Sequence, residues 1–305
     1  MLIIWNDHAG RAEACADLRD ELGSRPGVSV RNTTSRDEAL HVAAESARTH
    51  GGLIVAAGGD GTINAVISGL MQRPDNVQLG LIPLGTGNDL CRTLGIPLDP
   101  YDAAALLEKP VLRPLDVVRS RTDSGENHFI NMAIGGNSAL VMDHLTEDMK
   151  QRWGPLVYLR GTVDVLSSLV TYNTRLRFDD GPEEVVPALN VIIGNGRTAG
   201  GGLYAAPHAN PEDGLLDVVV VLDGSPIDLA VLAAKFVVSD YVQSDLVVFR
   251  RARRVSVVSK PPLRFSADGD WITDLPVSFE NIPAVLPVVV GPDYTPDPEG
   301  LPSIT

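Results

Sequence analysis

Short apolar runs alternate with segments of helical spacing over the first third of the chain. Four apolar runs predict buried strands, at residues 2–5, 28–31, 53–57 and 79–84. Three intervening segments predict helices, at residues 12–22, 36–49 and 62–70. In the second helix, Ala39, Ala43 and Ala47 belong to one face of small residues. Strands that alternate with helices of this length predict βαβ units, and therefore an α/β domain with a parallel sheet.

The pattern then changes to longer β-rich runs that turn residues separate. These runs lie at residues 187–193, 216–222, 247–258, 263–265 and 272–279. Helical spacing returns near residues 139–169 and 227–238. We therefore predict an α/β domain over residues 1–118 and a β-rich antiparallel domain over residues 119–290. The proline-rich tail, residues 291–305, is expected to pack back on the first domain.

Composition and charge narrow the possible partners. A chain of 305 residues with 44% apolar residues has enough core for two folded domains. Its net charge of −14 argues against a nucleic-acid partner and disfavours docking on anionic lipid through net charge alone. One basic group stands apart, formed by Arg250, Arg251, Arg253 and Arg254. It is typical of a solvated strand end, and the alternative is a contact with an anionic membrane or a phosphate.

Other features of the sequence bear on where the protein works. The two cysteines, Cys15 and Cys91, lie in helix-like stretches, so we predict no disulfide and a reducing compartment. The sequence has no Cys/His cluster typical of zinc. Its apolar runs are too short to span a bilayer, and residues 1–5 lack the basic start and length of a signal peptide. We therefore expect a cytoplasmic protein without an anchor.

The strongest chemical signal is a glycine-rich loop between the third predicted strand and the helix that follows it. The loop contains Gly58, Gly59, Asp60, Gly61, Thr62, Ile63 and Asn64. Glycines let the backbone approach a polyphosphate closely, and a helix start offers it unpaired N–H groups. Asp60 fits beside phosphates if Mg²⁺ lies between them, or if its carboxylate receives hydrogen bonds from the loop. A tight turn with Asp60 as the N-cap is the purely structural alternative.

A second loop of this kind joins the fourth predicted strand to another helix. It contains Gly85, Thr86, Gly87, Asn88 and Asp89. Loops at the carboxyl ends of parallel strands can face one crevice, where Thr86 would offer a hydroxyl to a phosphate. Neither loop has the GK[ST] or G-x-G-x-x-G spacing, so spacing alone predicts only a phosphate-binding α/β crevice.

Together the two loops resemble the catalytic domain of the diacylglycerol-kinase family, which includes bacterial lipid kinases and sphingosine and ceramide kinases. The resemblance rests on Gly-Gly-Asp-Gly-Thr at residues 58–62 and Pro-Leu-Gly-Thr-Gly-Asn-Asp at residues 83–89. It implies a first domain with the NAD kinase and phosphofructokinase type of fold. It also implies ATP with Mg²⁺ as the phosphoryl donor and a lipid hydroxyl as the acceptor. The implied nucleotide contacts are Asn6, Thr33, Gly58 to Asn64, Gly85 and Thr86.

The same resemblance implies roles for several acids. The family's general base is the first Asp of an Asp-Gly-Glu motif, which is Asp268 here, and Asp270 replaces the Glu. From the residues alone, the pair Asp268-Gly269 predicts a hairpin turn. Asp60 is implied as the main acid of the metal network, with Asp89 and Asp116 as further candidates.

A loop at residues 210–215 resembles one that binds a structural Mg²⁺ in some family members. By matched position, the ligands are the carboxylate of Asp213 and the backbone carbonyls of Asn210 and Leu215. An ordinary hairpin turn is the alternative, because Asp-Gly also favours a turn.

A lipid acceptor requires an apolar slot that opens toward a membrane, so we expect peripheral membrane contact during turnover. Residues 149–158 are a candidate rim, because Trp and Tyr suit a membrane interface. An amphipathic helix packed on the second sheet is the alternative for this segment. Two other functions stay open: an NAD kinase-like enzyme with a soluble substrate, and a catalytically silent nucleotide or lipid sensor. The sequence names neither the acceptor lipid nor the oligomeric state, for which a homodimer is one option.

Overall fold

The computed structural model describes residues 1–49, 51–137, 169–237, 241–272 and 275–297. Its strands are β1 (Leu2–Asn6), β2 (Ser29–Thr33), β3 (Gly52–Gly58), β4 (Val77–Pro83), β5 (Leu112–Thr122), β6 (Gly125–Phe129), β7 (Met132–Gly136), β8 (Tyr172–Phe178), β9 (Glu183–Gly194), β10 (Thr198–Ala199), β11 (Leu203–Tyr204), β12 (Leu216–Leu222), β13 (Val247–Ala252), β14 (Arg254–Lys260), β15 (Phe265–Ala267), β16 (Asp270–Ile272) and β17 (Val277–Val289). Its helices are α1 (Ala16–Ser24), α2 (Arg36–Thr49), α3 (Asp60–Leu70), α4 (Asp89–Thr93), α5 (Pro100–Leu106) and α6 (Pro226–Val237), with a 3-10 turn at Pro74–Asn76.

The predicted parallel sheet is present in the first part of the chain. Its four strands lie in the order β2-β1-β3-β4, and every neighbouring pair is parallel. Successive side chains of a strand point to opposite faces, so β3 contributes to two apolar layers. Ile54 and Ala56 enter one layer, and Val55 and Ala57 enter the other. Burial on both faces explains why these strands are continuous apolar runs in the sequence.

Helices α2 and α3 pack closely because small residues lie at their contact. Ala39, Ala43 and Ala47 of α2 are buried. A Cβ added to Gly69 of α3 would lie 2.5 Å from the carbonyl oxygen of Leu40 and 2.7 Å from the Cβ of Ala43. This contact packs α3, whose N-terminus carries the first glycine loop, against α2.

The rest of the described chain is mainly antiparallel, as the sequence predicts. Strand β9 pairs with β7, β8 and β12, and every one of these pairs is antiparallel. Strand β17 pairs antiparallel with β14 and β5, and it touches β4 in a parallel bridge between Val288 and Leu79. Strands β5 and β17 therefore connect the two parts of the molecule. The predicted division at residue 118 falls within β5 and stays a prediction.

Several predicted elements have different bounds in the structure. Helix α1 begins at Ala16 and not at residue 12. The run at residues 247–258 is two strands, β13 and β14, because the carboxylate of Asp179 accepts the backbone N–H groups of Arg253 and Arg254 at 3.0 and 2.9 Å. The run at residues 272–279 is also divided, between the end of β16 and the start of β17, and the strand predicted at residues 263–265 is β15.

The basic group on β13 and β14 is neutralised largely within the chain. Arg251 pairs with Asp217, Arg254 with Asp180 and Arg250 with Glu184. These ion pairs favour the interpretation as a solvated strand end. Both cysteines are buried and free.

The described part of the tail lies against both halves of the chain. The N–H of Gly291 donates to the carbonyl of Leu94 at 2.9 Å. The Tyr294 hydroxyl donates to Glu212, and the Arg197 guanidinium donates to the carbonyls of Thr295 and Pro296. Within the ranges described, no helix is long and apolar enough to cross a membrane.

Candidate functional site

The first glycine loop connects β3 to α3 by a tight turn. Gly59, rather than Asp60, is the N-cap of α3, so the structural alternative for Asp60 as N-cap is wrong. A Cβ added to Gly58 would lie 2.5 Å from the Cβ of Thr62, so the turn requires glycine there. The Thr62 hydroxyl accepts a hydrogen bond of 2.7 Å from the side-chain amide of Asn6 at the end of β1.

The second glycine loop lies directly against the first. A Cβ added to Gly85 would lie 2.5 Å from the Cα of Gly59, so the two backbones are in contact. The N–H of Leu84 donates to the carbonyl of Gly58 at 2.9 Å. Asn88, with φ of 52°, closes the loop by accepting the N–H of Gly85 at 3.1 Å and donating to its carbonyl at 2.7 Å. The two loops at the carboxyl ends of β3 and β4 therefore lie side by side, as the sequence predicts.

Asp60 joins the two loops through its carboxylate. One oxygen accepts the N–H of Asn88 and the other accepts the N–H of Asp89, both at 2.8 Å. Asp60 thereby satisfies backbone donors at the start of α4, where a negative charge is favourable. The sequence allowed two explanations for this acid, a nearby Mg²⁺ or hydrogen bonds from a loop, and the structure shows the hydrogen bonds. A carboxylate oxygen has further lone pairs, so Asp60 stays a candidate for a metal network.

A cavity of about 320 Å³ opens over the two loops. It is lined by Asn6, Ala9, Gly10, Arg36, Gly59, Gly61, Thr62, Gly85 and Thr86. Several predicted nucleotide contacts are therefore together. Arg36, from the first turn of α2, was not predicted, although a basic residue just after the end of a parallel strand was an available signal.

Five of the predicted nucleotide contacts do not line this cavity: Thr33, Gly58, Asp60, Ile63 and Asn64. Thr33 is fully buried, and its hydroxyl donates to the carbonyl of Trp5 at 3.3 Å. Ile63 and Asn64 are buried within α3, each 1% exposed. The Thr33 hydrogen bond connects β2 to β1, and Ile63 packs in the same apolar layer as Ile54 and Ala56 of β3.

Asp89 connects the second loop to the β-rich part of the chain. Its carboxylate accepts the N–H of Gly201 at 3.0 Å and the N–H of Gly202 at 2.8 Å. Both glycines lie in the turn between β10 and β11 and have positive φ, which glycine adopts without a steric penalty. Burial raises the pKa of Asp89, the Gly201 N–H opposes this, and the charge of Asp60 adds to it.

Asp268 lies in the predicted hairpin turn, between β15 and β16. Its carboxylate accepts the backbone N–H groups of Ile130, Asn131 and Met132 at 3.3, 3.0 and 2.8 Å. Burial raises the pKa of Asp268 to about 7, the N–H groups of Asn131 and Met132 oppose this rise, and the charge of Asp60 adds to it.

The Asp268 turn lies against the first glycine loop. A Cβ added to Gly269 would be 3.8 Å from the Cα of Gly61. The predicted base is therefore next to the predicted phosphate loop, although the two are far apart in the sequence. Asp270 begins β16, and its side chain lies outside the described part of the structure.

The loop at residues 210–215 is held by a buried acid. Asp116 is fully buried, and it accepts the N–H of Gly214 at 2.7 Å and the N–H of Ala284 at 2.8 Å. Asp213 accepts the N–H of Leu215 at 2.9 Å, and its other oxygen lies 3.9 Å from Arg251. Burial raises the pKa of both Asp116 and Asp213.

The donors of this loop fit a hard cation. The Asp213 carboxylate and the carbonyls of Asn210 and Leu215 are oxygen ligands, which Mg²⁺ prefers. The Asn210 carbonyl accepts the N–H of Asp213 at 3.4 Å, and the Leu215 carbonyl accepts the Asn281 side chain at 3.1 Å. No group of three or more His, Cys, Asp or Glu side chains is clustered in the described part of the chain. The predicted rim at residues 149–158 lies outside the described residues.

Comparison with known proteins identifies the family. Residues 1–120 match the family described as "Diacylglycerol kinase catalytic domain", and residues 132–290 match "YegS C-terminal NAD kinase beta sandwich-like domain". A Xanthomonas euvesicatoria protein named "Probable lipid kinase YegS-like" is 31% identical, over 91% of this chain and 92% of its own. A Pseudomonas putida protein of the same name is 34% identical, over 90% of this chain and 88% of its own.

A "Diacylglycerol kinase" of Bacillus subtilis is 30% identical, over 86% of each chain. The crystal structure of a diacylglycerol kinase from Bacillus anthracis is similar in fold, with a TM-score of 0.73 at 23% identity over 96% of this chain and 97% of that one. The α/β part with its parallel strands and the β-rich antiparallel part are thus shared with kinases of this type. The chain belongs to the diacylglycerol-kinase family, among the YegS-like lipid kinases.

Proposed function

We propose that this protein transfers the γ-phosphoryl group of ATP to the hydroxyl of a lipid. The observation that carries the proposal is the position of Asp268: a carboxylate with a pKa of about 7, on a turn that lies against the Gly58–Thr62 loop. A general base is most effective when its pKa is close to the working pH. The names of the relatives, lipid kinase and diacylglycerol kinase, support the same reaction.

The nucleotide phosphates would lie in the cavity over the two glycine loops. Asn6, Gly59, Gly61, Gly85 and Thr86 line this cavity. The start of α3 favours an anion through its N–H groups and its dipole. In this arrangement, Arg36 would add a fixed positive charge at one wall of the cavity.

The Mg²⁺ that accompanies ATP in phosphoryl transfer would neutralise charge on the phosphates. The acids proposed to hold it, directly or through water, are Asp60 and Asp89. The contact between the loop that carries Asp60 and the Asp268 turn would bring the donor and the base together.

Asp268 would act on the acceptor. Its carboxylate would take the proton of the lipid hydroxyl while the hydroxyl oxygen bonds to the γ-phosphorus and the bond to ADP breaks. Three backbone N–H groups fix the orientation of this carboxylate, so little reorganisation is needed. Asp270 is proposed as a second acid beside it.

The reaction class is tested by a phosphorylation assay over lipids in mixed micelles. The panel contains diacylglycerol, monoacylglycerol, a sphingoid base, ceramide, a prenol and phosphatidylglycerol, with ATP and Mg²⁺. We expect transfer to at least one of these lipids, and diacylglycerol is the first candidate because a relative is named for it. NAD is the soluble control. Transfer to NAD alone would replace the proposal with an NAD kinase, and no transfer to any compound would favour a sensor.

A structural Mg²⁺ is also proposed at residues 210–215, with Asp213, the carbonyls of Asn210 and Leu215, and Asp116 supporting the loop. Mg²⁺ at about 100 times its dissociation constant should raise the free energy of unfolding by about 2.7 kcal/mol. Thermal unfolding with and without Mg²⁺ measures this, and Asp213→Asn should remove the gain. The control Asp75→Asn changes an exposed acid. If Mg²⁺ stabilised Asp213→Asn as much as the unchanged protein, the stabilising Mg²⁺ would have to bind at another site.

A further inference from the structure

An exposed aromatic–cation pair lies beside the Asp268 turn. Trp271 is on β16, three residues after Asp268, and it is 53% exposed. The guanidinium carbon of Arg264 lies 5.0 Å from the centre of the Trp271 ring, within the range of a cation–π contact. An indole at this exposure is unusual for a residue whose only task is packing.

A second cation lies in the turn that leads to this pair. The Ser259 hydroxyl donates to the carbonyl of Pro261 and accepts the N–H of Leu263, both at 2.8 Å, and so fixes the turn between Lys260 and Arg264. Both cations are exposed, and neither forms an ion pair with a described carboxylate. In a chain with a net charge of −14, this turn is a local positive area.

A polar cleft of about 210 Å³ opens next to Trp271. The β5–β6 hairpin and β16 line this cleft, with Ser120, Thr122, Ser124, Gly125, Glu126 and Asn127 from the hairpin and Trp271 and Ile272 from β16. The one carboxylate of this lining, that of Glu126, is paired with Arg121. Strand β6 leads directly to residues 130–132, whose N–H groups hold the Asp268 carboxylate. The hairpin that lines the cleft and the segment that cradles the proposed base are thus consecutive in the chain. Hydroxyl and amide groups suit a hydrated lipid headgroup and not an acyl chain.

We propose that Lys260, Arg264 and Trp271 form the surface by which this protein contacts a bilayer that contains anionic lipid, and that the cleft receives the headgroup of the acceptor. The inference rests on the proposed function. Tryptophan is favoured at the membrane interface, where its ring is partly buried and its N–H stays hydrated. Cations beside it are attracted to anionic headgroups. Contact through this surface presents the lipid hydroxyl to the turn that carries Asp268.

Tryptophan fluorescence tests the contact directly. The chain has three tryptophans, and Trp5 is fully buried, so a Trp153→Phe background leaves Trp271 as the exposed reporter. We expect vesicles of phosphatidylcholine and phosphatidylglycerol that contain brominated phosphatidylcholine to quench the fluorescence. Adding Trp271→Phe should remove the quenching. Absence of quenching by brominated vesicles in a protein that phosphorylates lipid would overturn the surface.

Charge variants test the role of the two cations. Lys260→Gln and Arg264→Gln should each weaken binding to the anionic vesicles roughly fivefold, with little effect on phosphatidylcholine alone. Lys109→Gln, which removes an exposed cation next to β5, is the matched control and should not weaken binding. If all three variants lost the same binding affinity for anionic vesicles, net charge alone would explain the effect, and the proposed contact surface would be wrong.

Steady-state kinetics separate this inference from the proposed function. Trp271→Ala should raise the apparent KM for lipid in vesicles and leave the KM for ATP unchanged. An unchanged KM for vesicle lipid would contradict the surface. Quenching by brominated lipid in a protein that phosphorylates no lipid would keep the surface and overturn the proposed function.

Discussion

Asp268→Asn is expected to lower kcat for lipid phosphorylation by about 10²- to 10⁴-fold, the range for loss of a general base. The amide cannot accept the proton of the attacking hydroxyl, although it keeps the size of the side chain. ATP binding should persist, because the loops that line the nucleotide cavity are unchanged. Initial rates at saturating lipid, together with equilibrium binding of ATP, measure the two quantities separately.

The control for this substitution is Asp179→Asn. Asp179 also has positive φ, at 49°, and its carboxylate also accepts backbone N–H groups, but in the turn between β8 and β9. It should keep the rate of the unchanged protein, which separates the loss of a base from the loss of a turn aspartate. Full turnover by Asp268→Asn would exclude Asp268 as the base.

The same carboxylate predicts a pH dependence. Because the pKa of Asp268 is about 7, half of the base is ionised near that pH, and the ionised fraction rises through it and levels off roughly one to two pH units above it. We expect kcat/KM to follow that increase. The residual activity of Asp268→Asn should lack this acidic limb. An identical limb in the variant would assign it to another group.

Gly85→Ala is expected to lower the free energy of unfolding by about 1–3 kcal/mol, the usual cost of overpacking a tight contact. The added Cβ would lie 2.5 Å from the Cα of Gly59, so the two glycine loops must separate. Separation would also disturb the N–H groups that Asp60 holds, and the KM for ATP should rise. Urea denaturation and initial rates measure the two effects.

Gly61→Ala is the matched control within the same site. No atom lies within 4 Å of a Cβ added there, and Gly61 is in α3, where alanine is favoured over glycine by about 0.5–1 kcal/mol. Stability should therefore be unchanged or higher. Activity should still fall if phosphates lie against this backbone, because the methyl group enters the cavity. Loss of stability in Gly61→Ala and not in Gly85→Ala would contradict the loop contact.

The local elements of the α/β part could be predicted from the sequence because their signals are local. The apolar run of β3 reflects burial on both faces, and the face formed by Ala39, Ala43 and Ala47 reflects the close approach of α3. Both loops are also visible in the sequence as clusters of glycines. Gly58 is needed for a close contact within its own loop, and Gly85 for the contact between the two loops. The hairpin at Asp268-Gly269 could likewise be predicted, because the turn depends on these two adjacent residues.

Where the strands divide was beyond the sequence pattern. The break between β13 and β14 depends on the carboxylate of Asp179, which is 75 residues away from Arg254 in the chain. The pairing of β17 with both β5 and β4 likewise depends on long-range contacts. Periodicity reports which face of a segment is apolar, and it does not report which partner pairs with that face.

The sequence by itself determined the parallel strands, the two phosphate-type loops and, through resemblance, the acids to consider. Only the tertiary structure decided what these acids contact. In the folded chain, the Asp60 carboxylate accepts hydrogen bonds from the N–H groups of Asn88 and Asp89. The Asp89 carboxylate accepts hydrogen bonds from the β10–β11 turn. The tertiary structure also placed Asp268 in a cradle of N–H groups from residues more than 130 positions earlier, where burial raises its pKa. The physical reason is that hydrogen bonding and desolvation depend on neighbours in space, which only the folded chain brings together.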